Sequence, residues 1–326
     1  MMTHSRRTFL VSSAGALALA SKAWAQAAFP SKPIRILVGF PAGGALDVAT
    51  RVLTQALAGG ELHPIVVDNK VGASGTIALT EVARAAPDGY TLGLGTTSNL
   101  LIAPFLYPRL PYKAEADLVS LGEFAQGQSL VYASTRSGLR TLSAAIAAMR
   151  REPGRLSYAS PGTGTTAHLS FEMFKARDKL FIVHVPYRGT PQAMNAVASG
   201  DVELGVDAIG PVLPLIRAGR VVPLAQSGER RSDFLVHVPT LKELGFPEII
   251  GTNSLSLVAR AALGEPQRTL IQAEFQKAVQ QQEFRTQMTN LGLQAAFRSG
   301  PEVRDGMKTQ HAFWERAVRY SGATND

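Results

Sequence analysis

The sequence predicts an α/β protein of two lobes, each a mostly parallel sheet with helices on both faces. Short β-branched runs alternate with stretches of helical periodicity. A polar, glycine-rich turn follows several of those runs just where a helix begins. The 326 residues also exceed what one hydrophobic core usually serves.

The first unit is Ile34-Arg35-Ile36-Leu37-Val38, a strand that ends in Gly39-Phe40-Pro41-Ala42-Gly43-Gly44; Val48, Val52, Leu53 and Leu57 then recur at helical spacing. Pro64-Ile65-Val66-Val67-Asp68 repeats the pattern. It is followed by Gly72-Ala73-Ser74-Gly75 and a helix through Ile77, Leu79 and Val82, ended by Pro87-Asp88-Gly89. Residues 90–94 form a third strand, closing in Gly95-Thr96-Thr97-Ser98-Asn99. A second set opens with Leu130-Val131-Tyr132-Ala133-Ser134 and an alanine-rich helix over 141–151. Leu156-Ser157-Tyr158-Ala159-Ser160 passes through Pro161-Gly162-Thr163-Gly164-Thr165-Thr166 into a helix carrying Leu169, Met173 and Phe174. Residues 181–185 and 202–207 are further strands, with a helix between them ending near Ser199-Gly200. Residues 254–260 read as a strand returning to the first lobe, because the helices from Pro266 onward carry apolar faces that need a sheet to cover. The expected organisation is a leader at 1–25, a first lobe of 26–129 with 252–326, and a second lobe of 130–251. Crossovers are expected near Leu130 and Leu257.

The leader shows a charged start, Ser5-Arg6-Arg7-Thr8-Phe9-Leu10, an uncharged stretch over 11–20, and Ala23-Trp24-Ala25 at the spacing of a cleavage site. That stretch is far shorter than the roughly 20 residues a spanning helix needs. It reads as a signal peptide cut after Ala25, so the mature protein is expected in the periplasm and soluble. The paired arginines resemble a twin-arginine export signal, although Val11 stands where a lysine is usual, and an ordinary secretory signal fits as well.

Composition narrows the chemistry. Without cysteine there is no disulfide framework, thiolate nucleophile or cysteine-type metal site. The net charge is +8; losing Arg6, Arg7 and Lys22 with the leader reduces it to +5. The basic residues are dispersed, so no nucleic-acid surface is indicated. No G-x-S-x-G elbow, HExxH pair, phosphate-loop lysine or G-x-G-x-x-G fingerprint is present. His168, two residues into the helix after the third glycine turn, could serve as a base or a ligand contact, although packing beside a helix start is the commoner role of such a histidine. No catalytic residue, metal site or cofactor is expected.

Each glycine turn places unpaired backbone N–H groups and the positive end of a helix at one point, which suits an anion. Glycine keeps side chains away from those amides and permits a positive φ. Ser74, Thr76, Thr163, Thr165 and Thr166 add hydroxyl donors. In open parallel sheets ligands lie beyond the carboxyl ends of the strands, where all three turns fall.

The sequence resembles the Bug family, the extracytoplasmic solute receptors of tripartite tricarboxylate transporters. The likeness rests on Phe29-Pro30-Ser31-Lys32-Pro33-Ile34-Arg35, Gly43-Gly44-Ala45-Leu46-Asp47-Val48-Ala49-Thr50-Arg51, Asn69-Lys70-Val71-Gly72-Ala73-Ser74-Gly75-Thr76 and Ala86-Pro87-Asp88-Gly89-Tyr90-Thr91-Leu92. In the second half it rests on Gly162-Thr163-Gly164-Thr165-Thr166-Ala167-His168-Leu169, Val185-Pro186-Tyr187-Arg188-Gly189, Ser199-Gly200-Asp201-Val202 and Val238-Pro239-Thr240. It implies a type II periplasmic-binding-protein fold that closes on its ligand. Its first-lobe site falls on Ala42, Gly43, Gly44 and Ala45, on Gly72, Ala73, Ser74, Gly75 and Thr76, and on Thr97 and Ser98. The second-lobe site falls on Gly162, Thr163, Gly164, Thr165 and Thr166, with Asp207 facing an amine, a hydroxyl or a water. Asp47, four residues before Arg51, is expected to brace its helix. Val71 replaces a common proline, and Thr165-Thr166 stands where serine is usual.

The resulting expectation is a monomeric receptor that delivers a small carboxylated solute to the membrane subunits of such a transporter. A receptor presenting its ligand to a membrane sensor is the alternative, and a periplasmic hydrolase a distant one.

Overall fold

A computed structural model describes residues 29–249 and 251–323. The expected leader lies outside these residues. β1 (Ile34–Val38) pairs in parallel with β2 (Ile65–Asn69) on one side and β3 (Thr91–Thr96) on the other, so that Ile36 stands between Val67 and Leu92. Alternation along β1 puts Ile34, Ile36 and Val38 on one face and Leu37 on the other. The first face packs with Ala49, Leu53 and Leu57 of helix α1 (Ala45–Leu57). The second packs with Ala78, Leu79 and Val82 of α2 (Thr76–Arg84). Helices on both faces follow directly from that alternation.

After β3 a π-helical turn, Ser98–Ile102, and two short helices, α3 (Ala103–Leu106) and α4 (Ala114–Asp117), lead to β4 (Leu118–Ser134). This 17-residue strand runs through both halves of the sheet. Beyond it come α5 (Leu142–Arg151), β5 (Ser157–Ser160), α6 (Thr166–Asp178), β6 (Val183–Pro186), α7 (Thr190–Ser199), β7 (Leu204–Ala208), α8 (Ile209–Arg217) and β8 (Val221–Gln226). β5 is parallel to β6 and β7, as β1 is to its neighbours. The chain returns through β9 (Thr252–Arg260), α9 (Glu265–Gln280), α10 (Gln282–Asn290), β10 (Gln294–Ser299) and α11 (Gly300–Ser321).

The ten-stranded sheet is mixed: parallel within each βαβ set, antiparallel where β4 meets β7, β8, β9 and β10 and where β9 meets β3. At the crossing, Ser129 donates its N–H (3.1 Å) and hydroxyl (2.8 Å) to Gly251 O and accepts the Ser227 N–H at 3.0 Å. The return crossing therefore lies at Gly251 and Thr252, nearer the chain's turn than Leu257, which sits mid-strand opposite Leu94.

Three strands carry no clear sequence signal. Residues 118–128 hold Gly122 and Gly127 and form bulges against β9, so apolar alternation is interrupted. β8 contains Pro223 and pairs with β4 through a bulge, and β10 pairs with β4 alone. The C-terminal helices also divide differently from expectation. α9 and α10 cover the first half through Ile271, Phe275 and Phe284, whereas α11 carries Phe313, Trp314, Ala317 and Val318 into the core of the second half, beside Val131 and Phe174. Trp314 is fully buried there.

Candidate functional site

The first glycine turn is exposed at Ala42, Gly43 and Ala45, with Gly44 half-buried. Its shape is set by Asp47, which is buried one turn into α1. Oδ2 of Asp47 accepts from the Gly43 N–H at 2.8 Å and from Arg51 Nε at 2.9 Å, and Oδ1 accepts from Asn69 Nδ2 at 2.8 Å. Burial opposes ionisation, but hydrogen bonds from Arg51, Asn69 and Gly43 outweigh it and hold the carboxyl below its ordinary range. Asp47 thus braces more than its helix, since it ties the turn to the end of β2. The Gly43 N–H is spent on Asp47, and that of Gly44 on Pro41 O at 3.2 Å. The N–H groups of Ala45, Leu46 and Asp47, at the start of α1, have no intrahelical partner, whereas that of Val48 donates to Gly44 O at 2.9 Å. A left-handed φ occurs at Gly43 (77°) but not at Gly44 (−71°).

The second turn is the most strained backbone in the first half. Ala73, Ser74 and Gly75 have φ of 46°, 56° and 89° in succession, and side-chain-bearing residues rarely adopt such values. Gly75 N–H donates to Gly72 O at 2.9 Å and Thr76 N–H to Ala73 O, so neither is available. Ala73 and Ser74 are exposed, and their N–H groups have no acceptor among the described residues. Thr76 is buried. A Cβ on Gly39 would lie 2.2 Å from Gly75 Cα, and one on Gly75 would lie 2.9 Å from Asn99 Nδ2 and 3.2 Å from the Phe40 ring. The ends of β1, β2 and β3 therefore converge on Gly75.

Thr97 and Ser98 begin the π-helical turn after β3. The Thr97 hydroxyl accepts the Ser254 N–H at 3.0 Å and donates to Thr252 O at 3.3 Å, tying this strand end to β9 rather than standing free. Ser98 is half-buried. Asn99, which the sequence did not single out, organises the segment: Oδ1 accepts from the Thr96 N–H, Nδ2 donates to Leu94 O, and its carbonyl accepts from Tyr112. Its position after Thr96-Thr97-Ser98 at a strand end was the signal available.

In the second half, Gly162 and Gly164 have φ of 147° and 79°, Thr163 is exposed, and Gly164, Thr166 and His168 are buried. Thr165 caps α6: its Oγ1 accepts the His168 N–H at 3.4 Å and donates to Gly162 O at 2.9 Å. The donor expected from this hydroxyl is accordingly already committed within the turn. Asp207 ends β7, only 3 % exposed. Its Oδ1 accepts from Thr190 Oγ1 (3.0 Å) and the Ala208 N–H (2.7 Å), while Oδ2 has no partner among the described residues. Burial pushes its pKa up to about 7 against those two donors. Thr190, placed by the Gly189 turn, is a second residue that the sequence reading missed.

A cavity of about 710 Å³ lies between β4, α9 and α11 and shares no residue with the glycine turns. A smaller one of about 280 Å³ at the crossing is lined by Thr97, Glu123, Ser227, Ser254 and Arg298. Glu123 is fully buried there, its pKa raised by burial although Ser254, Gln126 and Arg298 favour the charged form. Enclosed volume reflects apolar walls, whereas anion capture needs exposed amides, so we place the candidate site at the turns. Among the described residues no three acidic, histidine or cysteine side chains are grouped to hold a metal ion, and no helix is long and apolar enough to cross a membrane.

Parallel strand ends that feed polar turns, on two sheet halves joined by the long strand β4, define a periplasmic-type solute-binding protein. The chain belongs to the tripartite tricarboxylate transporter receptor family, TctC, whose profile matches residues 49–318. BugT of Bordetella pertussis is 30 % identical over 296 residues, covering 90 % of this chain and 91 % of the relative. MatC of Rhodopseudomonas palustris, solved with bound malate, is 28 % identical with a TM-score of 0.76, covering 89 % of this chain and 100 % of that one. A second R. palustris protein, solved with adipate, is 25 % identical with a TM-score of 0.78, covering 91 % and 99 %. The Bug resemblance and the α/β solute-receptor fold expected from sequence thus stand, and the family is one of receptors rather than enzymes.

Proposed function

We propose that this chain is an exported receptor that captures a small carboxylated solute between two lobes and hands it to the membrane subunits of a tripartite tricarboxylate-type transporter. The observation that carries this reading is the second turn, where Ala73 and Ser74 hold left-handed backbone and present two unpartnered N–H groups beside the start of α2. Strain of this kind is retained where something other than stability requires it. Ala45 at the start of α1 and Thr163 and Thr166 at the start of α6, whose N–H groups have no acceptor among the described residues, supply the further anion-facing backbone. Malate and adipate, held by the two R. palustris relatives, carry a carboxylate at each end. We assign residues up to 128 and from 252 to one lobe and 129–251 to the other, with α11 spanning both. We also place the mature protein in the periplasm, as a monomer.

Titration calorimetry on the mature protein with malate, adipate and a panel of mono- and dicarboxylates tests this. A carboxylate that binds, paired with its amide derivative that does not, is the expected outcome. Absence of binding by every acid in the panel, with ready binding of an uncharged solute, overturns it. Small-angle scattering should show compaction with the bound acid.

A further inference from the structure

The second-half turn rests on two buried aromatic nitrogens. His168 is 2 % exposed and its Nδ1 accepts the Gly164 N–H at 3.2 Å. His184 lies against it, ring centroids 4.1 Å apart and planes 26° from parallel. His184 Nε2 is 2.7 Å from Ser160 Oγ, which itself accepts the Gly162 N–H at 3.3 Å. Because a backbone N–H can only donate, Nδ1 of His168 carries no proton, and its hydrogen is on Nε2. The geometry admits either direction between Ser160 Oγ and His184 Nε2; we assign the hydroxyl as the donor, which makes His184 Nε2 likewise an acceptor. Both left-handed glycines of the turn are therefore held by neutral imidazoles, one directly and one through a serine.

The charged and titratable neighbours are few. From α6, Glu172 Oε1 is 4.0 Å from His168 Nε2 and accepts from Lys175 Nζ at 2.6 Å; from β5, Tyr158 donates to the same carboxylate and stacks on His184 at 4.7 Å. Glu172 is thus shared among three groups and its charge is largely offset by Lys175.

We propose that His168 and His184 are positioning residues for ligand capture, holding the Gly162–Gly164 turn open to the solute as neutral acceptors and releasing it when His168 takes a second proton. A proton on Nδ1 of His168 would set two donors against each other at Gly164, and a doubly protonated pair would stack two cations at 4.1 Å. Burial first, then the neighbouring His184 and Lys175, pushes His168 down to about 3. Burial also lowers His184 to about 4, against Glu172. The turn should then keep its shape throughout the neutral range and lose it only in acid. The inference rests on the reading that this turn receives the solute, but its first test does not need a solute.

Hydrogen exchange and ¹⁵N histidine spectra of the unliganded protein come first. Expected are the Nε2–H tautomer for His168, the Nδ1–H tautomer for His184, and a protected Gly164 amide. His168→Leu should speed exchange at Gly164 by tenfold or more, while His168→Asn, whose Oδ1 falls near the Nδ1 position, should restore protection to within about threefold. Malate or adipate, whichever binds the wild type, is then titrated from pH 7.5 to 4. Affinity should fall below pH 5 in the wild type, with His168→Leu at least tenfold weaker at pH 7 and His168→Asn close to wild type. Either ring charged at pH 6, or a folded His168→Leu with native Gly164 protection, overturns the proposal. If both acids fail to bind the wild type but the exchange results hold, the solute reading is at fault and the turn's dependence on the histidines stands.

Discussion

The two halves solve one problem, fixing a glycine turn at a helix start, by opposite chemistry. In the first half an ionised carboxylate, Asp47, gathers the Gly43 N–H, Asn69 and Arg51 around itself. In the second, neutral histidines take the equivalent donors, and the nearby carboxyl, Asp207, is pushed towards its protonated form. A charged brace is tolerable in the first half because Arg51, about half exposed, compensates it. In the second half the only adjacent charges among the described residues, Glu172 and Lys175, offset each other, and the buried histidine rings themselves stay neutral. The halves should consequently fail differently under mutation and pH.

The largest effect tests the charged brace. Asp47→Ala leaves the Gly43 N–H without its acceptor and the Asn69 amide with Phe40 O alone, and each such loss costs about 1–3 kcal/mol. We expect a loss of about 3–5 kcal/mol in denaturant unfolding and at least a hundredfold loss of carboxylate affinity, whereas Arg51→Ala, on the exposed side, should cost about 1 kcal/mol. If the two substitutions cost the same, the carboxylate is only half of a surface ion pair and the contrast between halves disappears.

Glycine substitutions sharpen the contrast next. Gly75→Ala meets both a left-handed φ and a contact at 2.9 Å with Asn99, so a destabilisation of about 2–3 kcal/mol is expected. Gly43→Ala meets the left-handed φ with nothing within 4 Å, and should cost about 1 kcal/mol. Gly44→Ala meets neither a left-handed φ nor more than a 3.1 Å approach to Pro41 O, so its melting temperature should hardly move. Loss of affinity in folded Gly44→Ala would mark the start of α1 as the place where the anion sits; unchanged affinity would move the anion to the second turn.

Much of this was legible in sequence, for identifiable reasons. The βαβ units were readable because β1, β2 and β5 are short β-branched or aromatic runs followed by glycine, and their turn residues were named from that pattern alone. Which amide in a turn remains free was not readable, because it depends on Asp47 curling back to Gly43 and on Thr165 capping α6. β8 and β10 escaped because strands that pair only with β4 lack the apolar alternation of buried ones. α11 was assigned to the wrong core surface since an amphipathic face specifies burial but not the partner, and Phe313 and Trp314 settle against α6 only in three dimensions.

Acidity separates the halves at intermediate strength. Asp207 has a folded pKa of about 7 against an ordinary 3.8, so the unfolded chain gives up this proton first. Its contribution to stability is present below about pH 3.8 and is lost as pH rises through 7, on the order of a few kcal/mol. Asp47 runs the other way, since its folded pKa is depressed: stability is present above its ordinary range and lost as the pH falls. We expect Asp207→Asn to be more stable than wild type at pH 8 and to lose that advantage towards pH 4. A pH-independent difference between the two proteins would show that Asp207 is ionised throughout and that the second half does tolerate charge.

The smallest effect concerns Thr165, where sequence and structure assign the same hydroxyl different work. As a ligand donor it would be worth about one hydrogen bond of affinity, near tenfold, and nothing in stability. As the cap of α6 it accepts the His168 N–H and donates to Gly162 O, so its removal should appear chiefly in stability, about 1 kcal/mol, with affinity within threefold. Thr165→Ser keeps the oxygen and should match wild type in both measurements. Thr165→Ala should lower the melting temperature by a few degrees and leave the enthalpy of carboxylate binding unchanged. A tenfold weaker titration at an unaltered melting temperature would return the hydroxyl to the ligand, and would imply that the solute draws Thr165 out of the cap as it binds.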